Sequence, residues 1–376
     1  MQITPLYGDS VTEIISAING ASTKNPSLGI LFCSSSLGIE DLACELSHIS
    51  TPFIGSTTAG EILSTRIESP ISELSATGCL IEINPAWYIT RLFEREEKSC
   101  TDLGESIGRW GQEFCTDPIF IILISGLTNN GEEIVRGIEA GCRKSPGIYG
   151  GVAADDGMFE ETLVFANGIS SSDGVAVIVF DGSVIKASGL VTSGWRGVGV
   201  ERIITSSCGN RVYTIDDIPA LDFFSQYLNL TDNDIPGLSV EFPLIVLRDD
   251  GTSVIRATLA IDRETKAVIF AGSVPEGSRV RFSQSSGHET IHNAIAEISA
   301  FSEEIQAADL LLLFSCMARH QAVGQLVADE IRAASEAGSA PLVGFFSYGE
   351  IGMSDICTGE LFNETYSLLA LSERRE

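Results

Sequence analysis

Basic residues are scarce: 23 Lys and Arg stand against 51 Asp and Glu in 376 residues, a formal charge of −28 at pH 7. A surface this negative repels phosphate backbones and anionic headgroups unless a local basic patch intervenes. Lys and Arg are scattered, the tightest cluster being Arg374-Arg375, so neither nucleic acid nor membrane is an expected partner. Long apolar runs are missing too. Ile119 to Ile124, Val175 to Phe180 and Leu310 to Phe314 are far shorter than the ~18 residues of a spanning helix. The opening MQITPLYGDS lacks the basic and apolar regions of a signal peptide. The nine cysteines are odd in number, and no pair is closer than Cys33 and Cys44, which excludes a CxxC motif or a zinc ribbon. Reduced thiols in a cytoplasmic protein are the simplest reading. Enzyme signatures are equally absent: no G-x-S-x-G elbow, no G-x-x-x-x-G-K-[ST] loop and no H-E-x-x-H.

What is present is core material, with 44% hydrophobic and 20% charged residues. Strand and helix signals alternate, and three stretches share one order of helix, strand, helix, strand, strand. The first runs Ser10 to Ile18, Leu28 to Cys33, Gly38 to His48, Pro52 to Thr58 and Gly78 to Ile83. The second runs Thr101 to Phe114, Ile119 to Ile124, Gly131 to Cys142, Gly147 to Ala153 and Thr162 to Phe165. The third runs Glu289 to Glu304, Leu310 to Phe314, Gln321 to Glu336, Pro341 to Phe346 and Thr365 to Leu371. At the fourth element, PFIGSTTAGEI and PLVGFFSYGEI both fit P-x-x-G-x-x-x-x-G-E-I, and IYGGVAADD keeps the first glycine. Internal duplication explains this, with Gly55, Gly150 and Gly344 on equivalent strands. A fourth, degraded copy near residue 247 would fit the intervals, although no motif marks it.

Between the second and third stretches the pattern turns all-β, with runs at Val184 to Thr192, Pro243 to Arg248, Val254 to Ile261, Ala267 to Ala271 and Val280 to Phe282. A helix from Ala220 to Leu228, followed by the polar stretch Asn229 to Asp234, places a domain border near residue 218. The expected fold is α/β (mixed α+β): mixed sheets flanked by helices, built from at least three related α-β-α-β-β units, in domains 1–218 and 219–376.

Chemistry concentrates after the strand ending at Phe314, because open α/β sheets bind ligands beyond the carboxyl ends of their strands. There Ser315, Cys316, Arg319 and His320 follow in close order. Cys316 and His320 form a nucleophile–base dyad if they lie one helical turn apart, although a buried cysteine is more often a small hydrophobe. Arg319 offers a fork suited to a carboxylate, its alternative being a salt bridge to one of the many acids. Arg256, inside an apolar strand, is the reserve donor. Gly349 and Glu350 end the motif, and the recurrence of acids at Glu61, Asp156 and Glu350 suggests a role, structural or binding. Tyr348 could close a pocket beside Glu350. His288 and His292 could share a metal but lack a third ligand, so a solvated helix start is preferred.

These segments, with SGWRGVGVERIITSSCGNRVYTIDDIPALDFF, VPEGSRVRF, LLLLFSCMARH and FNETYSLLAL, resemble the FIST family, over roughly residues 25 to 371. The resemblance implies a cytoplasmic sensory module that binds a small ligand, with amino acids proposed, and that works with signalling enzymes such as histidine kinases. It also implies an alternative, since a subset of the family consists of haem-binding nitric-oxide sensors, with His320 or Cys316 the axial ligand here. No catalytic residues come with it. Its C-x-x-R and Gly-Glu motifs fall on Cys316, Arg319, Gly349 and Glu350. No kinase or cyclase is recognised in the sequence, so the signal is expected to pass through a separate partner. A non-enzymatic sensor is therefore the leading reading, with the haem sensor and the Cys316/His320 enzyme as alternatives.

Overall fold

A computed structural model of the chain describes residues 1–21, 27–64, 71–72, 75–228, 242–354 and 356–375. Three mixed six-stranded sheets share one strand order. In the first, Leu28–Ser34 runs parallel to Phe53–Thr58; on its other side it pairs antiparallel with Ala76–Glu82, which pairs antiparallel in turn with Gln2–Gly8. The second repeats this with Pro118–Ile124, Gly147–Val152, Gly174–Asp181 and Tyr88–Glu94. In the third, the corresponding strands are Leu310–Cys316, Leu342–Ser347, Tyr366–Glu373 and Ile185–Thr192.

The far edge of each sheet comes from another unit. Val164–Ala166, from the second unit, pairs with Phe53–Thr58 of the first. Glu61–Leu63, from the first, pairs with Leu342–Ser347 of the third. Glu350–Met353, from the third, pairs with Gly147–Val152 of the second, which closes the ring. This corrects the expectation that Thr162 to Phe165 closes the second unit; Gly174–Asp181 holds that place. The physical reason is the longer apolar run: Gly174–Asp181 is buried along nearly its whole length and pairs with all of Pro118–Ile124, whereas Val164–Ala166 is only three residues. The turn that precedes Val164–Ala166 is held by Asp155, whose carboxylate accepts the backbone N–H groups of Phe159, Glu160 and Glu161. Two further expectations, the helices Glu289 to Glu304 and Gln321 to Glu336, are each interrupted. The first breaks at Phe301, and the second begins at Met317 and breaks at Gly324, whose φ is +61°.

One core lies between the sheets and draws side chains from all three, including Phe32, Ile121 and Phe314. The outer faces are covered by helices, among them Ile39–Leu46, Cys100–Phe114 and Val327–Glu336. Strands buried on both faces read as unbroken apolar runs, which is why PIFIILI and LLLLFSC show no alternation. Between residues 196 and 284 lies an eight-stranded antiparallel sheet, packed against helix Ala220–Leu228. Residue 247 falls in this sheet, in strand Leu244–Leu247. The stretch Asn229 to Asp234 lies outside the described residues. Ile185–Thr192 precedes residue 218 yet joins the third sheet, so sheets run across that border.

Gly55, Gly150 and Gly344 stand opposite Leu31, Ile122 and Leu313 in the three parallel pairs. A Cβ on any of them would overlap the facing residue's carbonyl oxygen. The motif glycine is therefore a steric requirement of close strand approach. Gly344→Ala should cost on the order of 1–3 kcal/mol, as overpacking does. A urea midpoint unchanged from wild type would contradict this.

Candidate functional site

The turns that follow the three motif strands interlock. Ala59 N–H donates to the Phe346 carbonyl, Val152 N–H to that of Gly349, and Asp156 N–H to that of Thr58. The carboxyl ends of the parallel strands are thus drawn to one end of the molecule, where chemistry on such sheets collects.

Two of these turns bury an acid in the same way. The Glu350 carboxylate accepts the hydroxyls of Ser347 at 2.8 Å and Thr365 at 2.8 Å. Glu61 is held by the hydroxyls of Thr58 and Ser75. Both are fully buried, and burial pushes each carboxyl up to about 8, against the pull of those hydroxyls. The middle turn departs from the expected recurrence. Asp156 is exposed and accepts the Ser35 hydroxyl, whereas its buried neighbour Asp155 caps its own turn. Ala153 stands where the other turns have Thr58 and Ser347, so the hydroxyl that would hold a buried acid is gone.

Glu364 is the most unusual side chain of the third unit. It is fully buried, sits at φ +57° and has no hydrogen-bond partner on either carboxylate oxygen. Burial pushes its carboxyl well above the usual range, the neighbouring Glu350 adds to this, and Arg319 opposes it. Buried, unpaired and strained groups of this kind concentrate at functional sites. Other unpartnered groups belong to the same unit. Thr192, Tyr366 and Ser315 are directly opposite one another on adjacent strands, so their side chains share a face. None of those three hydroxyls has a partner, and neither do Trp195 Nε1 and Asn363 Oδ1.

Arg319 and Glu350 do come to one cluster, both facing Glu364. Arg319 is fully buried, but its fork is engaged by Glu330, at 2.9 Å from Nε and 2.7 Å from the second nitrogen. It also donates to the carbonyls of Ser193 and Glu364 and stacks over Trp195 at 5.3 Å. A ligand carboxylate could take the fork only by displacing Glu330. Ser315 supplies one of the unpartnered hydroxyls. Cys316 is buried beside Glu350 and Glu364, and burial, with their charge second, pushes its thiol well up. A thiol held protonated in this way is a poor nucleophile. His320 stacks on Phe346, ring centroids 4.5 Å apart, which covers one face of the imidazole.

The remaining expected residues lie elsewhere. Tyr348 donates its hydroxyl to Asp155, accepts from Gly157 N–H at 3.0 Å and stacks on Phe159 at 4.6 Å. With Phe159 it lines an open cleft of about 550 Å3, reaching Asn129 and Asn130 on one side and Asn210 and Phe270 on the other. Gly349 backs onto Leu361 and accepts from Val152 through its carbonyl. Arg256 belongs to a separate cluster, paired with Glu132 and donating to the Leu361 carbonyl at 3.1 Å and the Ser273 carbonyl at 3.2 Å. It ties the eight-stranded sheet to the second unit. Among the described residues, no three His, Cys, Asp or Glu side chains form a metal site, and no helix is long and apolar enough to cross a membrane.

The FIST N domain matches residues 27–218, more than half of the chain, and the FIST C domain matches residues 220–353. The chain belongs to the FIST family. FIST domains are associated with sensory signal transduction. A comparison with curated proteins gives no match. Glu364 lies beyond the matched FIST C segment, as do Thr365 and Tyr366, although they complete the cluster around Arg319 and Glu350. Reasoning from sequence missed Glu364, Glu330 and Trp195. A signal for Glu364 was present: Asn363-Glu364-Thr365 immediately precedes the apolar run Tyr366 to Leu371, so an acid is carried into the end of a buried strand.

Proposed function

We propose that this FIST protein is a non-enzymatic sensor whose small ligand seats among Glu364, Glu350, Tyr366 and Trp195, at the carboxyl end of the third unit's strands. The observation that carries this reading is Glu364, buried with both oxygens unpaired in a left-handed backbone conformation. Leaving a buried group unsatisfied costs about 1–3 kcal/mol, more if charged, and an αL conformation roughly 1–2 kcal/mol more. A bound molecule would offset both. The site adjoins strands exchanged between units, so a ligand there could bias how the units pack. The signal would then pass to a separate partner, such as a histidine kinase, with a basic face complementary to the −28 charge. Nine free cysteines favour a reducing, cytoplasmic setting.

Native mass spectrometry of the protein, purified without dialysis, tests this. Wild type should carry a small non-covalent adduct that Glu364→Gln lacks. The same adduct on both proteins would refute the site.

A further inference from the structure

We propose that the ligand is an organic ammonium cation, held by ionic hydrogen bonds from its nitrogen to Glu364 and Glu350. This rests on the binding site proposed above and adds the chemical class of what binds there. Four observations point the same way.

First, the charges are unbalanced. Glu364 faces Glu350 and a single base, Arg319, and that base is already spent on Glu330. The titratable groups turned toward Glu364 are otherwise Glu350 and the Cys316 thiol, neither of them cationic. An anion would therefore meet carboxylates with no free fork to receive it, which the bidentate requirement of a carboxylate or phosphate rules against.

Second, the unpartnered atoms form a set that suits an ammonium. Both Glu364 oxygens and Asn363 Oδ1 are acceptors without donors, and the hydroxyls of Tyr366, Ser315 and Thr192 can each accept as well as donate. An ammonium group brings up to three N–H donors on one atom, which is what these acceptors lack.

Third, the lining favours an organic cation over a transition-metal ion such as zinc. Among the described residues no three His, Cys, Asp or Glu side chains come together to coordinate one. The aromatic rings of Trp195 and Tyr366 instead suit the carbon attached to an organic nitrogen, since both are buried on the helix-covered face of the sheet.

Fourth, the class explains why burial of two acids is tolerated. In the empty protein they can stay protonated; a cation arriving between them stabilises their charged forms, so binding should release protons.

Isothermal titration with ethylammonium, 1,4-diaminobutane, propionate and potassium chloride on the full chain, at pH 6 and pH 8, tests the inference. The expected result is binding of at least one amine, ten- to hundredfold tighter at pH 8, with proton release revealed by buffers of different ionisation enthalpy. Glu364→Gln should lose that affinity at least tenfold, while Asp156→Asn, an exposed acid outside the cluster, should keep it. Binding of propionate that depends on Glu364, or potassium competing equally with the amines, would overturn the ammonium class yet leave the site standing. Amine binding unaltered in Glu364→Gln would overturn both the class and the site. A failure of both amines to bind at either pH would overturn the class.

Discussion

Arg319→Met should cost about 3–5 kcal/mol of folding stability, because it leaves Glu330 buried without its counter-charge. Both partners are fully buried and the contact is bidentate, so solvent cannot take over for the missing group. Burial alone would lower the Arg319 pKa, yet the Glu330 carboxylate holds the guanidinium firmly charged. Glu330→Leu should cost a comparable amount by stranding the arginine. The double variant should recover most of the loss, since well-packed apolar side chains replace a buried ion pair at little or no net cost. Recovery would be incomplete, because Arg319 also donates to the carbonyls of Ser193 and Glu364 and so pins the two loops that close the site. Guanidinium titrations of the three variants measure this. Single variants within 1 kcal/mol of wild type, or a double variant as unstable as the sum of the singles, would contradict it.

Stability should fall as pH rises from about 5 to about 8. Glu61 and Glu350 each bind a proton more tightly in the folded chain than in the unfolded one, burial raising both from the ordinary carboxyl value to about 8. A carboxyl raised in this way contributes stability that is complete below the unfolded pKa and lost as pH passes through the folded pKa. Each group can remove up to roughly 1.4 kcal/mol per pH unit inside that window, and nothing further above it. Carboxyls lowered by folding, such as Glu132 and Glu304, act in the opposite sense and at lower pH, so they do not mask the effect. The paired variant Glu61→Gln, Glu350→Gln should make the profile between pH 5 and 8 shallower, the remaining slope coming from Glu364, whose carboxyl burial also raises. A wild-type denaturation midpoint that is constant or rising across that range would contradict this account.

Much of the fold was legible because its strands are long, apolar and buried on both faces. The parallel pairs around Gly55, Gly150 and Gly344 follow from runs such as LLLLFSC and from the glycine spacing. The exchange of edge strands was not legible. Val164–Ala166 and Glu61–Leu63 are three residues each, too short for any period, and their partners are distant in sequence. Strand Arg196–Cys208 also escaped. Its register shifts between Val198 and Arg202, so exposure and burial do not alternate along it. At the site, Arg319 and Glu350 were found because both follow strand ends. The occupation of the Arg319 fork depends on Glu330, which only the break at Gly324 brings into place. Glu364 escaped because its one signal, a polar triplet just before an apolar run, reads equally as a solvated turn at a strand start.

A crystal structure grown with saturating ethylammonium tests the central claim most directly. The account predicts the amine nitrogen within hydrogen-bond distance of the Glu364 carboxylate, with Tyr366 and Trp195 against its carbons. A structure in which the amine lies elsewhere, with Glu364 satisfied by groups of the protein itself, would contradict it.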